Sequence, residues 1–202
     1  MMSQSQRFRQ VPWALAACGA ALICSAARSG AGAAPETAGS FVLKPADAEL
    51  GMRVPGIYTA NTFGCSGDNV SPALAWSGAP PGTQSFAVTL FDPDEVSTPS
   101  GWWHWVVYDL PKDVDGLRIG AGAEFGHKLP RGAQHGRNDS GKDAYLGPCP
   151  AKGDPPHRYV FTVYALNVAR LPVPPEASGA LVTSVARDHL LARAEFIARY
   201  GR

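Results

Sequence analysis

Apolar residues along this chain gather in short runs that fill both phases of a two-residue period. Ser85-Phe86-Ala87-Val88-Thr89-Leu90-Phe91 is one run, closed by Asp92-Pro93-Asp94. Gly101-Trp102-Trp103-His104-Trp105-Val106-Val107-Tyr108 is a second, closed by Leu110-Pro111, and Arg158 to Leu166 is a third. Their β-branched and aromatic content predicts strands, and apolar residues on both faces predict that both faces are covered. Weaker strands are predicted at Phe41–Leu43 and Ala73–Trp76. Pro174–Tyr200 reads as two helical pieces meeting near Asp188-His189, the second with Leu190, Leu191, Ala194, Ile197 and Ala198 as its core-facing stripe. The pattern is mainly β with C-terminal helices. Between Pro111 and His157 runs a glycine-rich stretch of a length that, inside one domain, carries function or hides short strands.

Composition narrows this picture. A chain of 202 residues with 17% charged residues has one ordinary core, and 22 Gly with 18 Pro imply many turns. Lys and Arg total 18 against 17 Asp and Glu, so no surface for tracking nucleic-acid phosphates is expected. The N-terminus is distinct. Arg7 and Arg9 precede an apolar run over Val11–Ala27 and small residues through Ala34, the form of a secretory signal. Residues 1–33 are read as that signal, cut after Ala33 or after Ala27, and residues 34–202 as the exported domain, periplasmic or secreted. Removing Arg7, Arg9 and Arg28 makes the remainder mildly acidic. An uncleaved anchor is the alternative, although the run is short for a span of about 20 residues. Leu15-Ala16-Ala17-Cys18 also has lipobox form, so membrane contact is expected only through the signal or a lipid anchor at Cys18. Cys65 and Cys149 remain in the domain. Exported chains pair such cysteines, with two separate buried thiols as the alternative.

Candidate chemistry is sparse. Gly136-Arg137-Asn138-Asp139-Ser140-Gly141-Lys142-Asp143 has the spacing of a phosphate-cradling loop, but Asp143 stands where Ser or Thr should be, which leaves a solvated loop. No nucleophile signature, cofactor motif or metal-ligand spacing is present, so a binding protein is expected rather than an enzyme. What remains is polar residues two apart: Asp92 and Asp94 leaving the first strand, Trp102 and His104 in the second, His157 and Tyr159 opening the third. Side chains at i and i+2 share a strand face, so each pair can point at one site. Asp92 through Gly101 is short enough for a hairpin that brings the aspartates toward His104. Two histidines and a tyrosine hydroxyl, with Trp102 as an apolar wall, would then hold a small anion. The alternatives are a satisfied core histidine at 104, a plain turn at Asp92-Pro93-Asp94, and a His157 that merely follows Pro155-Pro156.

These residues resemble a known family. Asp92-Pro93-Asp94 followed by Trp102-Trp103-His104-Trp105, and Gly147-Pro148-Cys149-Pro150 followed by His157-Arg158-Tyr159-Val160-Phe161, are similar to the two signature regions of the phosphatidylethanolamine-binding proteins, also called Raf kinase inhibitor proteins. Asn69-Val70-Ser71-Pro72-Ala73-Leu74-Ala75-Trp76 and the closing Tyr200-Gly201-Arg202 resemble its bacterial branch. The resemblance implies an antiparallel two-sheet sandwich with Greek-key connections and an anion pocket at one end. It implies a ligand set of Asp92, Trp102, His104, His157 and Tyr159, with Asp94 beside them and the rim made by Gly147, Pro148, Cys149 and Pro150. Two departures stand out: Glu95-Val96 replaces the usual Ala-Pro, and Cys149 replaces a frequent glycine. The function expected is an exported protein binding a phosphate-like or carboxylate ligand and modulating a partner protein. The alternatives are a protease or kinase inhibitor acting through the loops of Gly116–Gly153 and a hydrolase using His104 or His157 as base.

Overall fold

The computed structural model describes residues 40–51 and 53–202. The signal read over residues 1–33 and the possible anchor at Cys18 lie outside the described residues. Strands β1 (Val42–Pro45), β2 (Leu74–Ser77) and β5 (Gly116–Leu117) form a small antiparallel sheet in the order β1-β2-β5. Strands β3 (Ser85–Asp92), β4 (Trp102–Pro111), β6 (Gln134–His135), β7 (His157–Leu166) and β8 (Leu190–Tyr200) form a second antiparallel sheet in the order β6-β4-β3-β7-β8. Within it β3, β4 and β6 follow one another and β7 returns beside β3, which is the Greek-key arrangement.

The three apolar runs are the central strands, and their doubly apolar character is explained by what lies on each side. Leu43 and Trp76 of the small sheet pack with Phe86, Val88, Leu90, Trp105, Val107 and Phe161 between the sheets. Ala87, Val106, Tyr108, Tyr164 and Leu166 face the other way, under helix α1 (Gly179–Asp188) through its Val182 and Ala186. Each such fully buried side chain contributes about 1.5–3 kcal/mol relative to exposure. Helix α1 starts at Ser178, whose hydroxyl accepts from Leu181 N. It begins with glycine because a Cβ at Gly179 would stand 2.5 Å from the Trp103 ring.

One predicted element is different. The second helical piece is the eleven-residue strand β8, paired along β7 with Phe161 opposite Phe196 and one register shift at Ala165/Leu166. Leu190, Leu191, Ala194, Ile197 and Ala198 fit a helical stripe, but Ala192, Ala194, Phe196, Ala198 and Tyr200 fit a two-residue period equally well, and these turn to the core. The open backbone groups of β7 decide between the two periods, since a strand satisfies them and a helix cannot. Leu191 and Ile197 are left 40% and 42% exposed, on the face that also carries the charges Arg193, Glu195 and Arg199. The glycine-rich stretch contains β5 and β6, as its length suggested.

Candidate functional site

The C-terminal end of β3 and the N-terminal ends of β4 and β7 meet at one end of the large sheet. Pairing of Asp92 with Trp102 and of Phe91 with Trp103 closes the expected hairpin. The register slips by one residue between Phe91↔Trp103 and Leu90↔Trp105, making His104 the extra residue of a bulge. His104 and Trp105 therefore both turn to the face between the sheets, Trp105 into the core and His104 into a cleft of about 320 Å³. Asp92, Trp102, Tyr159, Gly147, Cys149 and Pro150 line the same cleft.

Asp92 serves two purposes with its two oxygens. Oδ1 accepts from the backbone N–H groups of Asp94 and Glu95 at 2.8 and 3.1 Å and holds the turn, while Oδ2 accepts from His157 Nδ1 at 2.8 Å. The residue is 1% exposed. Asp92-Pro93-Asp94 is a turn, and of its residues Asp92 also lines the cleft. His104 donates from Nδ1 to the Leu146 carbonyl at 2.9 Å, so Nε2 is the nitrogen left facing Asp92 Oδ2, 4.0 Å away. Burial lowers the His104 pKa below its usual value, opposed by the Leu146 carbonyl and the Asp92 carboxylate. Tyr159 packs its ring edge-on to His104, centroids 5.4 Å apart, and its buried hydroxyl, near the Asp92 carboxylate, makes no well-formed hydrogen bond among the described residues. Burial, then the charge and hydrogen-bonding pull of the Asp92 carboxylate, raise its pKa, which keeps it a donor.

The rim is built from long-range ties. Cys65 and Cys149 are disulfide-bonded, their Cα atoms 6.0 Å apart, which joins the 59–70 loop to the cleft. Gly147 is obligatory at its place, because a Cβ there would lie 2.3 Å from the Tyr58 carbonyl oxygen; its N–H donates to Asn69 Oδ1. Pro148 does not line the cleft, but its carbonyl accepts from Ala60 N at 3.1 Å and pins the same loop.

Two of the expected ligand residues stand elsewhere. Asp94 turns away and takes Arg158 in a two-pronged pair, with Nε at 2.9 Å and Nη2 at 2.7 Å, and that guanidinium holds its carboxyl well below the usual range, at about 2. The i, i+2 argument fails for it because β3 ends at Asp92 and Asp94 belongs to the turn. His157 is buried behind Asp92, between that carboxylate and Asp154 Oδ2 at 3.8 Å, and lines a separate shallow depression together with Asp94. It orients Asp92 and does not line the cleft. Residues that pattern reasoning missed are Phe63, Ser97, Leu146 and Arg202. Arg202 donates to the carbonyls of Pro150 and Gly64, both at 2.6 Å. A C-terminal arginine carries no periodic signal that would mark it. Glu95 also reaches the cleft, and its pKa is lowered chiefly by the Ser97 N–H. Among the described residues no group of three or more His, Cys, Asp or Glu side chains is placed to hold a metal ion.

The fold and the cleft together define a β-sandwich with a polar, partly enclosed pocket at the end of its larger sheet. The phosphatidylethanolamine-binding protein family matches residues 44–201, and the chain belongs to that family. Among its relatives are two Escherichia coli K12 proteins, each 45% identical: YbcL, over 81% of this chain and 88% of its own length, and YbhB, over 77% and 96%. The crystal structure of YbcL, described as a member of the mammalian family, superposes with a TM-score of 0.77 at 44% identity, covering 80% of this chain and 98% of that one. The CT736 protein of Chlamydia trachomatis superposes with a TM-score of 0.66 at 30% identity, covering 81% and 98%.

Proposed function

We propose that this protein is an exported binding protein that holds the phosphate-like or carboxylate group of a small ligand in the cleft of Asp92, His104 and Tyr159, and thereby modulates a partner protein. The observation that carries the reading is the buried Tyr159 hydroxyl, which makes no well-formed hydrogen bond among the described residues, beside a histidine whose Nδ1 is already engaged. A buried donor without a partner costs about 1–3 kcal/mol, which an anionic oxygen recovers. His104 Nε2, once protonated, gives the anion a second donor. Asp92 then accepts from a protonated ligand oxygen, so a monoprotonated phosphate ester fits the set better than a fully ionised one. Arg202 at the rim favours negative charge and Glu95 opposes it. Export is supported by the signal-like N-terminus, by the disulfide, and by a relative in Mycobacterium tuberculosis, 38% identical over 58% of this chain, whose name contains the word lipoprotein.

Titration of phosphorylethanolamine while the His104 imidazole is followed by NMR tests the proposal. Saturable shifts at His104, lost in Tyr159→Phe, are expected. An unperturbed His104 at millimolar ligand overturns the proposal.

A further inference from the structure

A second cleft of about 370 Å³ opens beside the first, and the two share Phe63 and Leu146 as a common wall. Phe63 is 67% exposed and sits at φ +55°, in the left-handed region that ordinary residues avoid. The surroundings hold it there: Cys65, two residues on, is bonded to Cys149, and Arg202 Nη1 donates to the neighbouring Gly64 carbonyl. An exposed aromatic ring is thus fixed between two connected depressions.

The second cleft differs in chemistry. Asn61 and Thr62 present an amide and a hydroxyl with no side-chain hydrogen bond among the described residues, and Glu124 and Lys142 face each other at 3.0 Å at its edge. Acceptors and donors are interleaved there with the apolar surface of Phe63, Ala123, Ala144 and Leu146. An acyl chain would leave these groups unpaired, whereas neighbouring hydroxyl groups satisfy both kinds at once. A sugar ring also offers an apolar C–H face to an exposed aromatic such as Phe63.

Building on the anion-pocket reading above, we propose that the ligand is a phosphorylated sugar, with its phosphate at His104 and Tyr159 and its hydroxylated ring past Phe63 in the second cleft. Calorimetric titration of the protein with inorganic phosphate, glucose 6-phosphate, hexyl phosphate and free glucose tests this. Glucose 6-phosphate is expected to bind at least tenfold more tightly than inorganic phosphate or hexyl phosphate. Asn61→Ala and Lys142→Ala, both at exposed positions outside the anion cleft, are expected to remove most of that advantage and leave the affinity for inorganic phosphate within twofold. Thermal melting of both variants verifies that they fold. Equal affinity for glucose 6-phosphate and inorganic phosphate, or tighter binding of hexyl phosphate, overturns the sugar assignment and leaves the anion pocket standing. No binding of any phosphate compound overturns both.

Discussion

At the level of single residues, the proposed anion site makes protonation of His104 the variable to measure. Burial lowers its pKa in the free protein, and an anion beside Nε2 favours the charged form, so binding takes up a proton. Affinity for an anion is therefore expected to rise as pH falls. Sulfate isolates this effect because its own charge is constant over the range: its Kd is expected to tighten by up to about tenfold per pH unit between pH 7.5 and 5.5, and to lose that slope in His104→Gln. A flat profile in the unmutated protein would contradict the assignment. Asp94 supplies the contrasting case. Its pKa of about 2 in the folded protein lies below the unfolded value, so its pair with Arg158 contributes stability above pH 4 and loses it as pH falls toward 2. Because the pair is partly exposed, Asp94→Ala should cost less than about 1 kcal/mol at pH 7 in chemical denaturation, with no change in ligand affinity. A marked loss of affinity would return Asp94 to the ligand set.

Among the elements, β8 is where local pattern and tertiary pairing part company. The helical stripe would bury Ile197 and spare Phe196; the strand does the reverse, stacking Phe196 on Phe161 at a centroid distance of 4.7 Å. Phe196→Ala is expected to destabilise by about 2–4 kcal/mol and Ile197→Ala by less than about 1, read from urea midpoints. The opposite order would restore the helix. The bulge at His104 is the second decisive element feature, since a regular ladder would put His104 and Trp105 on opposite faces and leave either the cleft or the core without its side chain.

Across the whole molecule, the disulfide links sites 84 residues apart in sequence and so ties the N-terminal loop to the cleft rim. Loop-closure entropy for a ring of this size is worth at most about 4–5 kcal/mol. Cys65→Ser with Cys149→Ser should therefore lower Tm by on the order of 10 °C and weaken ligand binding more than Phe196→Ala does, because the rim loosens as well. Two alkylatable thiols in protein purified from the oxidising compartment would remove the premise. Much of this architecture was legible beforehand. The three doubly apolar runs marked central strands, since only a covered sheet tolerates such residues on both faces. Of the three pairs expected from strand alternation, Trp102 and His104 line the cleft together, while Asp92 and Tyr159 line it without Asp94 and His157. Tertiary structure decided the rest. It chose a strand at 190–200 because β7 had an edge to satisfy, set His157 behind Asp92, and turned Asp94 toward Arg158 once the strand had ended. It also brought Arg202 and Phe63 to the cleft. Contacts between residues far apart in sequence leave no periodicity in the chain, and whether two such residues meet depends on the register of every strand between them.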